Sequence, residues 1–340
     1  MSFEAPADWG RFTTIDLHTA GEPLRVITSG LPEIPGETIL ARRRWAEENL
    51  EPVRKALMLE PRGHADMYGC ILMPPTTSDG DVGVLFLHNQ GYSTMCGHGI
   101  IGLVKAGVEA GLFDFDPRDP IVRIDTPAGR VTAMAHLVGD RVERVSFENV
   151  PSFLLHRDLV VDVPGLGEVR YDVGYGGAFY AYVEAGEVDL ELVPESFSRI
   201  VHYGEEIKRA AEKATPLIHP VGDEDLNFFY GTIFTGPALG EAHSRNVCVF
   251  ADGEVDRSPT GTGVSGRVAV HHARNELALG ECITIESLIG TTFEVEALRA
   301  CEVGSISGVI PRVTGSAFIT GEHEFLIDPS DPLREGVFLR

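Results

Sequence analysis

The residues of this chain best placed to do chemistry are Cys96 and Thr260. Cys96 heads a motif of alternating glycines, Met95-Cys96-Gly97-His98-Gly99-Ile100-Ile101-Gly102-Leu103-Val104. Starting 164 positions after Cys96, the stretch Thr260-Gly261-Thr262-Gly263-Val264-Ser265-Gly266-Arg267-Val268 repeats it. Overlaid, Gly97 falls on Gly261, Gly99 on Gly263, Gly102 on Gly266 and Val104 on Val268. Each copy reads as a glycine-rich turn opening a helix, whose first N–H groups lack internal acceptors and form the positive end of the macrodipole. Such ends bind anions and lower the pKa of a thiol, so Cys96 is expected to be a thiolate near neutral pH. With the two helix starts opposed, the N–H groups of Gly97, His98, Gly261 and Thr262 converge on a small carboxylate, and Cys96 and Thr260 flank the carbon beside it. That layout suits removal of an α-proton, which needs a base at the proton and support for the charge that builds up on the carboxylate. A buried cysteine in front of a packed helix is the plainer reading of Cys96 alone. The second copy argues against it.

The elements that must hold these residues also come in pairs. Both motifs follow β-rich runs, Val84-Leu85-Phe86-Leu87 and Val247-Cys248-Val249-Phe250. Residues 12–30 read as a hairpin turning at Gly21-Glu22-Pro23; its counterpart is 169–183, with Asp172 for Asp16 and Gly177 for Gly21. A helical stretch from Thr38 to about Met58, broken near Pro52, is matched by one over 198–215. Beyond the motif helices, the strand and turn over 121–129 correspond to those over 283–290. The pattern predicts an α+β protein of two similar halves, each a set of mostly β elements around one helix. They meet near 150–160, where Pro151 marks a connection. The boundaries expected are 1–155 for the first lobe, with about 320–340 returning to it, and 156–319 for the second.

At 340 residues two domains are expected, each large enough for its own core. With 51 acidic against 28 basic residues, the net charge of −23 argues against nucleic acid or an anionic membrane as partner. The basic run Arg42-Arg43-Arg44 reads as a solvated helix face. The opening Met1-Ser2-Phe3-Glu4-Ala5-Pro6 carries no basic or apolar leader pattern and no apolar run reaches ~18 residues, so a cytoplasmic protein is expected. The five cysteines are scattered and never spaced C-x-x-C, which suggests neither a disulfide framework nor zinc. Cys70, Cys248, Cys282 and Cys301 lie in strand-like runs and are expected in the core. The 12 histidines show no metal-ligand spacing.

The chain resembles the proline racemase family over nearly its whole length. The resemblance is carried by Asp16-Leu17-His18-Thr19-Ala20-Gly21-Glu22-Pro23, Arg62-Gly63-His64, Met95-Cys96-Gly97-His98-Gly99, Tyr175-Gly176-Gly177, Arg245-Asn246-Val247 and Asp256-Arg257-Ser258-Pro259-Thr260-Gly261-Thr262-Gly263. It implies the two-lobed, diaminopimelate epimerase-like fold with the active site in the interlobe cleft, no cofactor, and a pair of cysteine bases. Where a racemase reads Ser-Pro-Cys-Gly-Thr-Gly, this chain reads Ser258-Pro259-Thr260-Gly261-Thr262-Gly263. A threonine hydroxyl is not ionised near neutral pH, so two-base racemisation is disabled. With that exchange the chain looks like those members of the family that dehydrate trans-3-hydroxy-L-proline with one catalytic cysteine.

The stereochemistry of that substrate agrees. Its hydroxyl is trans to the carboxylate and so shares a ring face with the α-hydrogen. One group on that face can take the proton and, once protonated, help hydroxide leave as water. Cys96 is assigned that role, with Thr260 guarding the opposite face, and the enamine formed tautomerises to Δ1-pyrroline-2-carboxylate. Competing readings are a hydroxyproline 2-epimerase or proline racemase, and a non-catalytic amino-acid-binding protein.

By resemblance Asp256 accepts hydrogen bonds from the ring ammonium; the plainer alternative is a turn or cap residue before the loop. Gly97, His98, Gly261 and Thr262 complete the expected substrate contacts. A Cys96/His98 nucleophilic pair is disfavoured, because residues two apart at a helix start should diverge. His18, His64, His88 and His243 with Arg245 are further candidates for the rim or the ring hydroxyl, each alone more often a structural hydrogen-bonder. Tyr175 with Gly176-Gly177 brings backbone near the substrate or simply makes a hairpin turn. The partners expected are the small-molecule substrate and, in a homodimer, a second copy of the chain.

Overall fold

The computed structural model describes residues 4–339. Among the described residues, eighteen strands and five α-helices make an α+β fold in which the strands dominate. The strands are β1 (Gly10–Thr19), β2 (Glu22–Ser29), β3 (Tyr68–Met73), β4 (Val82–His88), β5 (Tyr92–Ser93), β6 (Ile121–Thr126), β7 (Gly129–Val138), β8 (Arg141–Glu148) and β9 (Ser152–Val163). They continue with β10 (Gly167–Tyr175), β11 (Phe179–Glu184), β12 (Phe229–Gly236), β13 (Ser244–Phe250), β14 (Glu254–Val255), β15 (Cys282–Glu286), β16 (Thr292–Val303), β17 (Ile306–Gly315) and β18 (Ala317–Ile327).

The pairing scheme of β1–β8 is repeated step by step by β10–β17. β1 pairs antiparallel with β2, β2 parallel with β3, β3 antiparallel with β4, and β4 parallel with β6. In the same order β10 pairs antiparallel with β11, β11 parallel with β12, β12 antiparallel with β13, and β13 parallel with β15. The ninth strand of each series crosses over. β9 lies against β10, and β18 lies against β1 from Gly10↔Ile327 to Thr19↔Ala317. β8 and β17 then pair antiparallel, Arg312↔Glu148 to Gly315↔Val145, which joins both series into one continuous sheet.

The helices take their places from their apolar faces. α3 (Gly97–Glu109) and α5 (Gly261–Ala273) each pack against several strands and are buried along most of their length. Ile100, Ile101, Leu103, Val104 and Ala106 are fully enclosed, and each large apolar side chain among them stabilises the fold by roughly 1.5–3 kcal/mol. Glycine sets how closely the helix can approach these strands: a Cβ at Gly102 would lie 2.7 Å from Leu17 Cδ1. The outer helices α1 (Ile39–Asn49) and α2 (Glu51–Met58) meet at Leu50, so Pro52 sits in the first turn of α2, where no amide hydrogen is needed. Thr38 caps α1 by accepting from Ala41 N–H at 3.0 Å. α4 (Phe197–Ala214) takes the corresponding position beside β12 and β13.

Two expectations fail here. The arginine run is not a free solvated face: Arg43 is buried and donates to the Tyr92 carbonyl at 2.6 Å, while Arg44 pairs with Asp223 and Asp225. Cys70 and Cys248 are in the core, but Cys282 is exposed and Cys301 only half-buried. Cys282 opens β15, and Cys301 lies toward the end of β16, where the long β16–β17 hairpin has partly exposed faces. Among the described residues, no helix is long and apolar enough to cross a membrane.

Candidate active site

The starts of α3 and α5 meet. A Cβ built on Gly97 would lie 2.5 Å from Gly261 Cα, and one built on Gly261 would lie 2.5 Å from Gly97 Cα. Side chains are excluded from this contact, so the first N–H groups of both helices stay close together, as the spacing of the glycines predicts. Backbone carbonyls near the junction are tied down by threonine and asparagine side chains. Thr19 Oγ1 donates to His98 O at 2.9 Å, Thr94 Oγ1 to Gly177 O at 2.7 Å, and Asn246 Nδ2 to Pro259 O at 2.8 Å.

Beside the junction is a small pocket of about 20 Å³, room for roughly one water molecule. All seven residues picked from the sequence line it: Cys96, Gly97, His98, Asp256, Thr260, Gly261 and Thr262. The remaining wall is Tyr68, Met95, Tyr180, Tyr230 and Phe250. The polar side chains that line it are buried.

Cys96 is the N-cap of α3, and its sulfur accepts from Gly99 N–H at 3.2 Å. Burial nonetheless pushes its thiol well above the usual range. The Gly99 N–H pulls it back, the charge of Asp256 opposes ionisation, and the Tyr68 hydroxyl favours it. The expectation of a thiolate is therefore corrected, because desolvation of the buried sulfur outweighs the helix start. A second correction concerns His98, whose Nδ1 lies 3.2 Å from the sulfur, so these side chains converge rather than diverge. Burial lowers the His98 pKa to about 3. The neutral ring can hydrogen-bond the sulfur but does not hold its proton, which leaves no ion pair of the cysteine-hydrolase kind.

Thr260 occupies the equivalent position on α5 in a different manner. Its φ of +67° is unusual for a β-branched residue, and its side chain does not cap the helix. Thr260 Oγ1 is close enough to Asp256 to favour the carboxylate, yet meets no partner in hydrogen-bonding alignment among the described residues. Asp256 is buried, accepts from Ser258 N–H at 2.7 Å, and has its pKa raised to about 6 by desolvation.

Several residues at the site were not singled out by sequence reasoning. Glu22 is completely buried; one carboxylate oxygen accepts from Arg257 N–H at 2.7 Å, and its pKa is pushed well up by burial and by the nearby Asp256. Its signals were its place in the Gly21-Glu22-Pro23 turn and in the motif over residues 16–23. Arg257 also pairs with buried Asp66 at 3.0 Å. Tyr68, Tyr180 and Tyr230 come from β3, β11 and β12, whose sequences read as ordinary strands.

Other candidates lie elsewhere. His18 Nδ1 accepts from Gly21 N–H and its ring packs on Phe318. His64 is bonded to the neighbouring Ala65 carbonyl, and His243 to Ser244. Arg245 is buried against Glu286 at 3.0 Å. His88, paired with Glu254 at 3.2 Å, stands behind Tyr68 with the rings stacked at 5.6 Å. Tyr175 is a core residue stacked on Phe153. Among the described residues, no three His, Cys, Asp or Glu side chains group as a metal centre.

The fold and the site define a strand-rich α+β protein in which a thiol-headed and an alcohol-headed helix start share one small buried pocket. The chain belongs to the proline racemase family, whose family model, Proline racemase, matches residues 14–338. It is 47% identical over 328 residues to the trans-3-hydroxy-L-proline dehydratase of Colwellia psychrerythraea, covering 96% of this chain and 92% of the relative. It is 45% identical over 329 residues to the 3-hydroxyproline 2-epimerase of Burkholderia multivorans, covering 96% and 98%. The crystal structure of a hydroxyproline epimerase from Agrobacterium vitis with bound trans-4-hydroxy-L-proline superposes with a TM-score of 0.91. Its sequence identity is 30%, with 97% of this chain and 96% of that chain covered.

Proposed function

We propose that this chain dehydrates trans-3-hydroxy-L-proline to Δ1-pyrroline-2-carboxylate, with Cys96 as the single proton-transfer group. The observation that carries the reading is the pairing of one thiol with one alcohol at two abutting helix starts in a common cavity. The dehydratase name borne by the Colwellia psychrerythraea relative agrees with it.

In this reaction the substrate carboxylate takes the first N–H groups of α3 and α5, and its ring ammonium faces Asp256. That positive charge, brought next to a buried sulfur already supported by Gly99 N–H, lowers the cost of forming the thiolate. The thiolate takes the Cα proton while the helix starts stabilise the negative charge spreading onto the carboxylate. The hydroxyl on C3 lies on the same ring face. The protonated sulfur returns its proton to that oxygen, the C3–O bond breaks, and water leaves with the electron pair. The remaining enamine gains a proton at C3 and loses one from nitrogen to give the cyclic imine. Thr260, on the other face, cannot deliver a proton to Cα, so inversion is blocked.

Two lobes belong to the same reading: residues 1–155 closed by about 320–340, and 156–319, with the cavity between them. The repeated pairing order and the exchange of β9 and β18 support this division.

Incubation with trans-3-hydroxy-L-proline in deuterated water tests the reaction. The expected product is the cyclic imine labelled at C3. A C2-epimerised hydroxyproline accumulating in place of the imine would overturn the proposal in favour of the epimerase reading.

A further inference from the structure

Three hydroxyl groups near Cys96 form a chain that neither the family motif nor the proton transfer accounts for. Tyr68 OH lies 2.5 Å from Ser93 Oγ and 3.1 Å from Tyr230 OH. Tyr68 and Tyr230 both line the cavity, whereas Ser93 lies behind them on β5. Tyr68 shares the pocket wall with Cys96, and its ring is set edge-on to His98, whose Nδ1 lies 3.2 Å from the Cys96 sulfur. The third cavity tyrosine, Tyr180, is differently engaged, with its hydroxyl 2.6 Å from Thr262 Oγ1.

A count of protons shows what this chain can offer. Each hydroxyl has one hydrogen to donate, and three linked hydroxyls use two of the three in their mutual bonds. One O–H is left over for an external acceptor, and hydrogen bonds in series polarise one another in its favour. The tyrosine rings are held firmly: Tyr68 is stacked on His88 and set edge-on to His98 at 4.8 Å, and Tyr230 is stacked on Phe250 at 5.3 Å. Burial keeps both phenols protonated by pushing their pKa values well up, so they act as donors throughout.

The position of the leaving group follows from the dehydration reading, on which this inference rests. Cα–H and C3–OH share the ring face presented to Cys96, so a sulfur in reach of the α-hydrogen has the C3 oxygen beside it. Tyr68, the middle member of the hydroxyl chain, lines the same pocket as that sulfur. We infer that Tyr68, positioned by Tyr230 and Ser93, binds the C3 hydroxyl of the substrate and donates to its oxygen as the C–O bond breaks. The tyrosine chain thereby makes the cavity selective for a 3-hydroxyl group. Tyr68 is then a catalytic residue and Tyr230 a positioning residue.

The test uses the full-length Tyr68→Phe and Tyr230→Phe variants with two substrates and one probe. For trans-3-hydroxy-L-proline, Y68F should lower kcat roughly a hundredfold, the usual scale for losing one preorganised donor, and Y230F roughly tenfold. For trans-3-fluoro-L-proline, which yields the same imine by expelling fluoride without needing a proton, the loss in each variant should shrink to a few-fold. Binding of pyrrole-2-carboxylate, a planar ring with the carboxylate but no C3 substituent, should change less than threefold and also reports an intact site. Equal losses on both substrates, unchanged dehydration, or a parallel collapse of pyrrole-2-carboxylate binding would each overturn the inference. A wild-type enzyme that forms no imine from the hydroxy substrate would instead remove the dehydration reading itself.

Discussion

Gly261 Cα occupies the space in which a side chain on Gly97 would begin, and the relationship is mutual at 2.5 Å. Neither backbone can retreat without pulling a helix start away from the cavity. Gly97→Ala and Gly261→Ala are each expected to cost about 1–3 kcal/mol of stability through overpacking. They should also lower kcat/KM by far more than the loss of folded protein explains. Thermal melts together with steady-state kinetics on soluble variant protein check this, and normal turnover in either alanine variant would contradict the packing argument.

Replacing the alcohol by a second thiol should restore the missing base. Thr260→Cys is expected to gain solvent-deuterium incorporation at C2 with inversion, detectable by chiral chromatography of recovered hydroxyproline or proline. Cys96→Ser should lose at least about a thousandfold in dehydration, since a serine hydroxyl is not ionised near neutral pH. Substantial dehydration by C96S would remove Cys96 from its role.

The acidic group facing the expected ring ammonium gives a pH limit with a definite sign. Asp256 titrates near 6 in the folded protein against an ordinary 3.8, so kcat/KM should fall as pH drops through about 6. In the same interval the folded state holds more protons than the unfolded chain. This group therefore makes the empty protein less stable as pH rises from about 4 to 6, and that cost persists above. Asp256→Asn should consequently raise Tm at pH 7–8 while lowering kcat/KM about a hundredfold. A variant that melts lower at pH 7–8 would refute the electrostatic part of the account.

Burial of the Cys96 thiol has a chemical signature as well. Inactivation of the empty enzyme by iodoacetamide should be slow near pH 7 and accelerate beyond pH 9, because the thiolate is the reacting form and desolvation raises its pKa. Cys282, which is exposed, should take up label earlier without loss of activity. Mass spectrometry of peptides from partly inactivated samples distinguishes the two. Fast inactivation at neutral pH through Cys96 would show that the helix start prevails over burial.

Much of the site was legible in the linear chain because its framework is a repeat. The spacing of Gly97, Gly99 and Gly102 against Gly261, Gly263 and Gly266 identifies two helix starts, and one difference between the copies, Cys96 against Thr260, limits proton transfer to one side. Those are local facts of residue type and period. The tertiary structure decided the rest. Tyr68 stands more than a hundred residues before Tyr180 and Tyr230, and only sheet pairing brings the three rings to one cavity. The return of β18 to β1 depends on a long-range register that no short window contains. Whether Cys96 is charged is likewise set by the whole enclosure, since desolvation depends on every wall around the sulfur, whereas the helix start that favours ionisation is written in four consecutive residues.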